Sequence, residues 1–325
     1  MPHRQTRVRM VDVAGVGINA TDTVIELPHF PQFNSKLELC STAICPGGQI
    51  ATALIACRRW GLSARYVGSI GDDSAGALQQ RELRVAGIES HLIRAKNCLS
   101  QLSFILVDQK SGERTILWKR DTRLTLRPHH LQQSWITKSR ILLVDGHDVA
   151  AAAHAARLAR SAQIPVVADI DNVYSGVKGL LERTDYLFAS REFPARIMNS
   201  SRLLTTLPRI LNRFGCKVVG ATLGRLGALA WDGTRFHYCR GYGVDTVDTT
   251  GAGDVFHAGI VYGILRQWPL KVVLEFSCAA SALNCTALGA RGGIKSLREI
   301  HNFMRKAKRS ESAFSAKQLA WSART

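Results

Sequence analysis

Apolar positions along the chain follow two alternating patterns. Short runs rich in β-branched residues predict strands at 11–16, 65–68, 141–144, 165–168, 186–188 and 217–222. Longer segments of helical composition predict helices at 50–60, 149–161, 255–266, 270–288 and 297–308. Strands that alternate with helices at this spacing predict an α/β fold with a mostly parallel sheet, covered by helices on both faces.

Two segments depart from this alternation. Residues 23–39 contain Pro28 and Pro31 and have extended character, and the β-rich runs 102–107 and 114–118 are joined by a turn. Neither segment has a helix of its own to pack against. We therefore predict a small β-sheet lid, built from about 18–44 and 97–121, on one domain of residues 1–310. A tail, 311–325, follows it. An exposed lid edge favours a homodimer through the lid.

Composition narrows the class of protein. Hydrophobic residues make up 46% of the 325 residues, which is enough for a large core. No apolar run approaches the length of a membrane span, and the first ten residues lack the apolar core of a signal peptide. The eight cysteines show no paired zinc-like spacing. These features predict a reduced, cytoplasmic protein with no membrane partner.

The charge is strongly positive, because 43 lysines and arginines outnumber 25 acidic residues by 18. Most of the basic residues are single arginines spread along the chain, and no nucleic-acid-binding motif accompanies them. We expect a solvated basic surface that favours anionic substrates, and no dedicated recognition of nucleic acid.

Two glycine-rich segments could bind phosphate. Residues 15–20 (GVGINA) fit the dinucleotide fingerprint, but a β-branched run and two prolines follow where that fingerprint requires a helix. Residues 248–254 (DTTGAGD) instead open a predicted helix, which Thr249 or Thr250 would cap. Gly251 and Gly253 would let the backbone approach an anion at the positive end of the helix dipole.

Asp254 lies in the first turn of that helix. We expect the dipole to lower its pKa, so that the carboxylate is ionised and can accept a proton. An anion hole and a carboxylate base in one turn are what phosphoryl transfer to a hydroxyl requires. The alternative is a capped structural turn that carries a helix-start aspartate.

At this motif the sequence resembles the pfkB/ribokinase family of carbohydrate kinases, whose signature ends in D-T-x-G-A-G-D. The resemblance extends over most of the chain: residues 45–51 (CPGGQIA) resemble the family's N-terminal Gly-Gly element, 71–76 (GDDSAG) its G-x-D-x-x-G turn, and 222–227 (TLGRLG) its nucleotide-side T-x-G-x-x-G. It implies a ribokinase-like, doubly wound α/β fold with a β lid.

The resemblance also implies roles for residues on the nucleotide side. Gly251, Ala252 and Gly253 would form the anion hole, with Asp254 as catalytic base. The ATP-binding residues would be Thr222, Gly224, Gly227 and, in the adenine pocket, Asn284. A tight turn at 222–227 and an ordinary polar helix position for Asn284 remain open. Asp248 and Thr250 resemble positions that hold a monovalent cation, such as K⁺, in some members.

On the substrate side, Asp22 stands where related kinases bind sugar hydroxyls; an Asx-turn residue is the alternative. Gly47 and Gly48 would let the backbone approach the sugar. Gln49 replaces the usual asparagine, which puts that contact in doubt. Arg120 could meet an anionic substrate, although a surface arginine is the simpler interpretation.

One segment departs from the family pattern. Members often carry N-x-x-E after a central strand, which helps to position magnesium, whereas this chain has Ser190 in place of the asparagine and Glu192 one residue early. ATP chemistry still implies Mg²⁺, but the role of Glu192 is open. Asp169 and Asp171 suit a second carboxylate site or, more simply, solvated loop positions.

The resemblance thus predicts ATP-dependent phosphorylation of a small-molecule sugar. The segments GERTILW, DTTGAGDVFHAG and LNCTALGARGGI most resemble kinases of ketose-like or modified sugars such as sulfofructose. A nucleoside kinase of the same family, or a non-catalytic descendant that binds a ligand or nucleic acid, are the alternatives.

Overall fold

The computed structural model describes residues 8–200 and 202–309. These residues form thirteen strands: β1 (Val11–Val16), β2 (Ala20–Leu27), β3 (Ser41–Gly47), β4 (Ala64–Ile70), β5 (Glu89–Arg94), β6 (Leu102–Asp108), β7 (Arg114–Lys119), β8 (Ser139–Asp145), β9 (Val166–Ile170), β10 (Tyr186–Ala189), β11 (Val218–Thr222), β12 (Ala228–Trp231) and β13 (Phe236–Cys239).

The same residues form ten α-helices: α1 (Gln49–Arg59), α2 (Ser74–Val85), α3 (Gln133–Thr137), α4 (Val149–Ser161), α5 (Val177–Leu181), α6 (Phe193–Met198), α7 (Leu203–Phe214), α8 (Ala252–Leu265), α9 (Leu270–Asn284) and α10 (Leu297–Lys306). None of the helices in this part of the chain has the length and apolar character needed to cross a bilayer.

The large sheet contains nine strands in the order β13-β12-β11-β10-β9-β8-β1-β4-β5. Neighbours from β11 to β5 pair in parallel, and only the β11-β12-β13 edge is antiparallel. Because crossover helices cover both faces of a parallel sheet, its central strands are buried and apolar throughout. Residues 141–144 and 166–168, for example, are all fully buried. This confirms the predicted doubly wound α/β fold.

A separate core covers each face of the sheet. On one face, Trp60, Tyr262 and Phe276 from α1, α8 and α9 form an aromatic cluster with centroids 5.2–5.9 Å apart. On the other, α4, α5 and α7 contribute small and aliphatic side chains such as Leu180 and Ile210. The helix α8 that carries the DTTGAGD motif is therefore anchored along its whole length in a packed layer, which fixes the position of its first turn.

The lid is a second sheet, in the order β3-β2-β6-β7. Its strands leave the large domain after β1 and after β5, as the sequence predicted. Alternate residues face opposite sides: Asp22, Ser103 and Trp118 lie in one row across β2, β6 and β7 and face the large domain. Phe104 and Leu117 lie in the next row, and their side chains are exposed.

Several element boundaries differ from the predictions. The helix predicted at 270–288 ends at Asn284, because the chain then turns through Cys285 and Thr286. Residues 71–76 lead into α2, which begins at Ser74 and whose N-terminus is capped by the Asp73 carboxylate. The predicted tail, 311–325, lies outside the described residues.

Candidate active site

A cavity of about 1090 Å³ lies between the lid and the large sheet. It lies at the carboxyl ends of the parallel strands, where Asp169, Ser190 and Thr222 line it. This edge is where α/β sheets of this kind bind ligands, because the loops that leave the strands diverge there. The N-terminus of α8 opens into the cavity.

The loop before α8 is held by the buried carboxylate of Asp248. One of its oxygens accepts hydrogen bonds from the Thr250 amide and hydroxyl at 2.8 and 2.6 Å, and the other from the Gly289 amide at 2.8 Å. Gly251 then adopts a left-handed conformation with φ of 75°, and a Cβ there would lie 2.1 Å from the carbonyl oxygen of Ala290. Glycine is therefore required at this turn.

Helix α8 begins at Ala252 without a side-chain cap, so the prediction that Thr249 or Thr250 caps it is wrong. The Thr250 hydroxyl bonds to Asp248 and the Thr249 hydroxyl donates to the carbonyl of Gly112. First-turn amides of a helix have no partner inside the helix. Gly253 lies in this turn, and a Cβ added to it would enter open space. The predicted anion hole therefore faces the cavity.

Asp254 is half-buried in the same turn and lines the cavity. The expectation that the helix dipole lowers its pKa is wrong. Burial, reinforced by the nearby charge of Asp169, raises the pKa of Asp254 to about 8, against the opposing effects of His257 and Arg114. Desolvation of the carboxylate thus outweighs the dipole, whose effect is limited to a few tenths of a unit up to about one unit.

This shift predicts the pH dependence of activity. A general base must be deprotonated, and the pH dependence of kcat/KM reports the free enzyme. We therefore expect kcat/KM to rise with pH up to about 8. Below that pH, kcat/KM should fall tenfold for each pH unit. Initial rates between pH 6 and 10, in buffers of constant ionic strength, test this. A limb near pH 4 would contradict it.

Three of the residues that the resemblance assigns to the nucleotide line one part of the cavity. Thr222, Gly224 and Gly227 all line it, and Gly224 and Gly227 have positive φ values of 58° and 101°. A Cβ at Gly227 would lie 2.0 Å from the carbonyl oxygen of Cys239, so this turn can form only with glycine. The wall there is completed by residues of α9 and by basic residues after β11 and α10: Ser281, Ala282, Arg225, Lys308 and Arg309.

Asn284 does not occupy the adenine pocket that the resemblance implied. Its side chain is fully buried behind the cavity wall, where the amide nitrogen donates to the carbonyls of Thr250 and Ala290 at 3.1 and 3.0 Å. It ties α9 to the loop that begins α8. Three nearby residues of α9 and its end line the cavity instead: Cys278, Ser281 and Cys285.

The part of the cavity that the resemblance assigns to the acceptor lies under the lid. Asp22, Gly48 and Gln49 line it, whereas Gly47 lies behind Asp22: a Cβ at Gly47 would be 1.8 Å from a carboxylate oxygen of Asp22. Burial raises the pKa of Asp22 to about 6, although a hydrogen bond from Ser103 and the charge of Arg291 oppose the shift. At neutral pH an ionised Asp22 can accept hydrogen bonds from two hydroxyls.

Sequence reasoning missed the lid residues that face the cavity. On β7, Arg114, Ile116 and Trp118 alternate toward it, and the Arg114 guanidinium donates to the Thr249 hydroxyl at 2.7 Å. Their period-two spacing was the available signal. His147, after β8, lies against Trp118 with ring centroids 5.9 Å apart. Arg114 thus places a positive charge beside the start of α8.

Of the remaining residues, Ser190 and Asp169 line the cavity, whereas Glu192 and Arg120 do not. Glu192 precedes the short helix α6, and its side chain makes no capping hydrogen bond there. Arg120 donates to both carboxylate oxygens of Asp148, at 2.9 and 2.6 Å, so its charge is already paired. Asp169 is buried rather than solvated, contrary to the simpler interpretation.

Comparisons with known proteins identify the family of this chain. A family model described as the pfkB family carbohydrate kinases matches residues 16–297. The chain belongs to this family. A relative from Halopiger xanaduensis, the ATP-dependent ribose-1-phosphate kinase, is 27% identical over 289 residues, which is 87% of this chain and 94% of that protein.

Solved structures give the same result for the fold. A structure assigned to a ribokinase of Agrobacterium tumefaciens has a TM-score of 0.85 and 26% identity, over 91% of this chain and 98% of the other. A structure assigned as ribokinase II of E. coli, in complex with ATP and Mg²⁺, has a TM-score of 0.78 and 20% identity over 91% and 99%. As a pfkB-family carbohydrate kinase, this chain is an enzyme with a ribokinase-like fold.

Proposed function

We propose that this pfkB-family kinase transfers the γ-phosphoryl group of ATP to a sugar hydroxyl, with Asp254 as the general base. The observation that carries the proposal is the position of the first turn of α8. It lines the same cavity as Asp22, which we assign to the acceptor, and as Thr222, Gly224 and Gly227, which we assign to the nucleotide. A hydroxyl held near Asp22 and a phosphate held near Gly224 would meet at Asp254.

Each part of the turn has one task in this reaction. Asp254 accepts the proton of the attacking hydroxyl, and the amides of Gly251, Ala252 and Gly253 stabilise negative charge on the transferred group. Arg114 adds a positive charge from the lid side, next to Thr249. Lid residues Ile116 and Trp118 line the cavity and are exposed, so that a bound sugar would cover them and leave less room for water, which would limit hydrolysis of ATP.

Magnesium suits this site as a partner of ATP. Among the described residues, no group of three or more His, Cys, Asp or Glu side chains is arranged to hold a metal ion alone. A site of this kind fits Mg²⁺, because Mg²⁺ binds mainly through substrate phosphates and waters, with one or two carboxylates. When bound, it would neutralise charge on the β- and γ-phosphates. A role for Glu192 stays a prediction.

The acceptor is proposed to be a sugar of the ribokinase or fructokinase type, including a ketose or modified ketose. Two observations favour an acceptor that carries a negative group. One relative is named a ribose-1-phosphate kinase, and Arg114 places a positive charge at the cavity. A nucleoside is the second candidate, because Trp118, His147 and Tyr174 form an aromatic cluster, with ring centroids 5.9 and 5.2 Å apart, against which a base could stack.

An ADP-release assay tests the proposal. Purified protein with ATP and Mg²⁺ is given a panel of aldoses, ketoses, sugar phosphates, sugar acids and nucleosides, beside Asp254→Asn. We expect turnover with at least one sugar that the substitution abolishes. Turnover with no acceptor would contradict the proposal, and turnover with nucleosides alone would replace it with the second candidate. Running the panel in potassium and in choline salts tests whether a monovalent cation near Asp248 activates the enzyme.

Dimerisation through the lid also stays a prediction. The outer face of the lid exposes Ile44, Phe104 and Leu117, which lie in one row across the sheet. If two copies bury this face, Phe104→Glu should halve the mass measured by light scattering, while Leu204→Glu, an exposed apolar position on α7, should not. A monomeric wild type would contradict the prediction.

A further inference from the structure

A buried histidine lies one helical turn after Asp254 and is unexplained by the proposed reaction. His257 on α8 is 2% exposed, and its two ring nitrogens both face oxygen atoms. Nδ1 lies 2.7 Å from the carbonyl oxygen of Gly253 and 3.2 Å from a carboxylate oxygen of Asp169, and Nε2 lies 3.0 Å from the carbonyl oxygen of Phe188. The ring therefore joins α8 to the ends of β9 and β10.

The protonation state of His257 follows from these three contacts. A neutral imidazole has one donor and one acceptor nitrogen, whereas a carbonyl oxygen can only accept. Either neutral tautomer would thus leave a nitrogen lone pair against a carbonyl lone pair, at 2.7 or 3.0 Å. Only the imidazolium donates at both nitrogens. Asp169 is the carboxylate within reach of its charge.

Burial opposes a charge at this place. Burial lowers the pKa of His257, while hydrogen bonds to the carbonyls of Phe188 and Gly253 and the charge of Asp254 raise it. Burial likewise raises the pKa of Asp169. A close ion pair with all its donors satisfied can offset such a cost, whereas either partner alone cannot. The pair is therefore interdependent: removing one charge leaves the other buried without a counterion.

Other charged groups face this pair and Asp254 from the surrounding elements. Asp145 and Asp171 add negative charge beside Asp169. Asp22 adds negative charge beside Asp254, and Arg114 adds positive charge from the lid. Asp254 thus lies near the carboxylates of Asp169 and Asp22, and His257, one turn later on the same helix, is a buried group whose positive charge opposes them.

We propose that His257 and Asp169 are positioning residues, which form a buried imidazolium–carboxylate pair that keeps Asp254 able to ionise and holds the first turn of α8 in place. The inference rests on Asp254 being the base of the proposed kinase reaction. In this arrangement the positive charge of His257 offsets the negative charge of Asp169. Without that offset, the carboxyls of Asp254 and Asp169 would compete for ionisation, as two adjacent carboxyls do.

The protonation state can be measured without any assay of activity. Nitrogen NMR of protein labelled with ¹⁵N-histidine distinguishes an imidazolium from either neutral tautomer, and the spectrum of His257→Asn, or of His257→Gln, assigns the signal. We expect a doubly protonated ring at pH 7 whose signal does not titrate between pH 6 and 8. A neutral ring at pH 7 would overturn the proposal.

Kinetic measurements test the effect on Asp254. In His257→Asn, the rising limb of kcat/KM should move to higher pH by about one unit, so that activity falls about tenfold at pH 7 and recovers at high pH. In Asp169→Asn the limb should move to lower pH. The double variant, which removes both charges, should return the limb close to that of the wild type.

A merely structural role would give a different result. Loss of packing or of the link to β10 would lower kcat/KM at every pH, with no shift of the limb and no recovery in the double variant, and that outcome would overturn the proposal. His237→Asn is a matched control, since His237 pairs with Asp232 at 2.6 Å outside the cavity; its limb should not move. If the wild type shows no acceptor-dependent turnover, the kinase proposal fails, while the NMR result still decides the ion pair.

Discussion

Replacing Asp254 by asparagine should lower kcat by about three orders of magnitude, within the usual range for loss of a general base. Asparagine has nearly the same shape but cannot accept the hydroxyl proton. The KM for ATP should change little, because the residues proposed to hold the nucleotide, such as Thr222 and Gly227, are unchanged. Steady-state kinetics at saturating acceptor measure both quantities.

The same substitution should leave the fold intact. Because burial already disfavours the charged form of Asp254, a neutral amide removes a cost rather than a stabilising interaction. The thermal unfolding midpoint of Asp254→Asn should therefore equal or exceed that of the wild type above pH 8. Asp232→Asn, a carboxylate outside the cavity, is the control and should retain kcat. A variant of Asp254 that keeps more than a tenth of wild-type kcat would contradict its role as base.

Gly251→Ala should produce the second large effect. The left-handed conformation at φ of 75° costs an alanine about 1–2 kcal/mol, and the added methyl group would meet the Ala290 backbone at 2.1 Å. The turn must then shift, and the amides that follow it lose their alignment. We expect kcat to fall by about two orders of magnitude or more, the cost of losing a donor in an anion hole, together with a lower unfolding midpoint.

Gly253→Ala is the matched comparison two residues later. A Cβ at Gly253 meets no protein atom within 4 Å, and its φ is not positive. Its unfolding midpoint should therefore match that of the wild type. If the open space belongs to the phosphates of ATP, activity should fall nevertheless. Full activity in Gly253→Ala, or a wild-type unfolding midpoint in Gly251→Ala, would contradict the description of this turn.

Sequence patterns predicted the parts of the site that are local in the chain. The DTTGAGD segment identified a helix start with a carboxylate because glycines, the acidic residue and the helix pattern lie within seven residues. The alternation of strands and helices gave the sheet, and two helix-free β segments gave the lid. Each of these features depends on short-range spacing, which the sequence displays directly.

Features that depend on packing could not be predicted in this way. The pKa of Asp254 depends first on its burial and then on Asp169, 85 positions earlier in the chain. Asn284 lies in the predicted helix, but its side chain points inward because α9 packs against the loop at Thr250. The contacts of His257 with Asp169 and Phe188 likewise join residues more than sixty positions apart in the chain, which no local pattern reveals.

The most direct test follows the γ-phosphoryl group itself. ATP labelled in that group is mixed with excess enzyme and an accepted sugar, and the products of a single turnover are separated for the wild type and for Asp254→Asn. The account predicts label in a sugar phosphate with the wild type and almost none with the variant on the same timescale. Label released only as inorganic phosphate, or equally fast transfer by the variant, would contradict it.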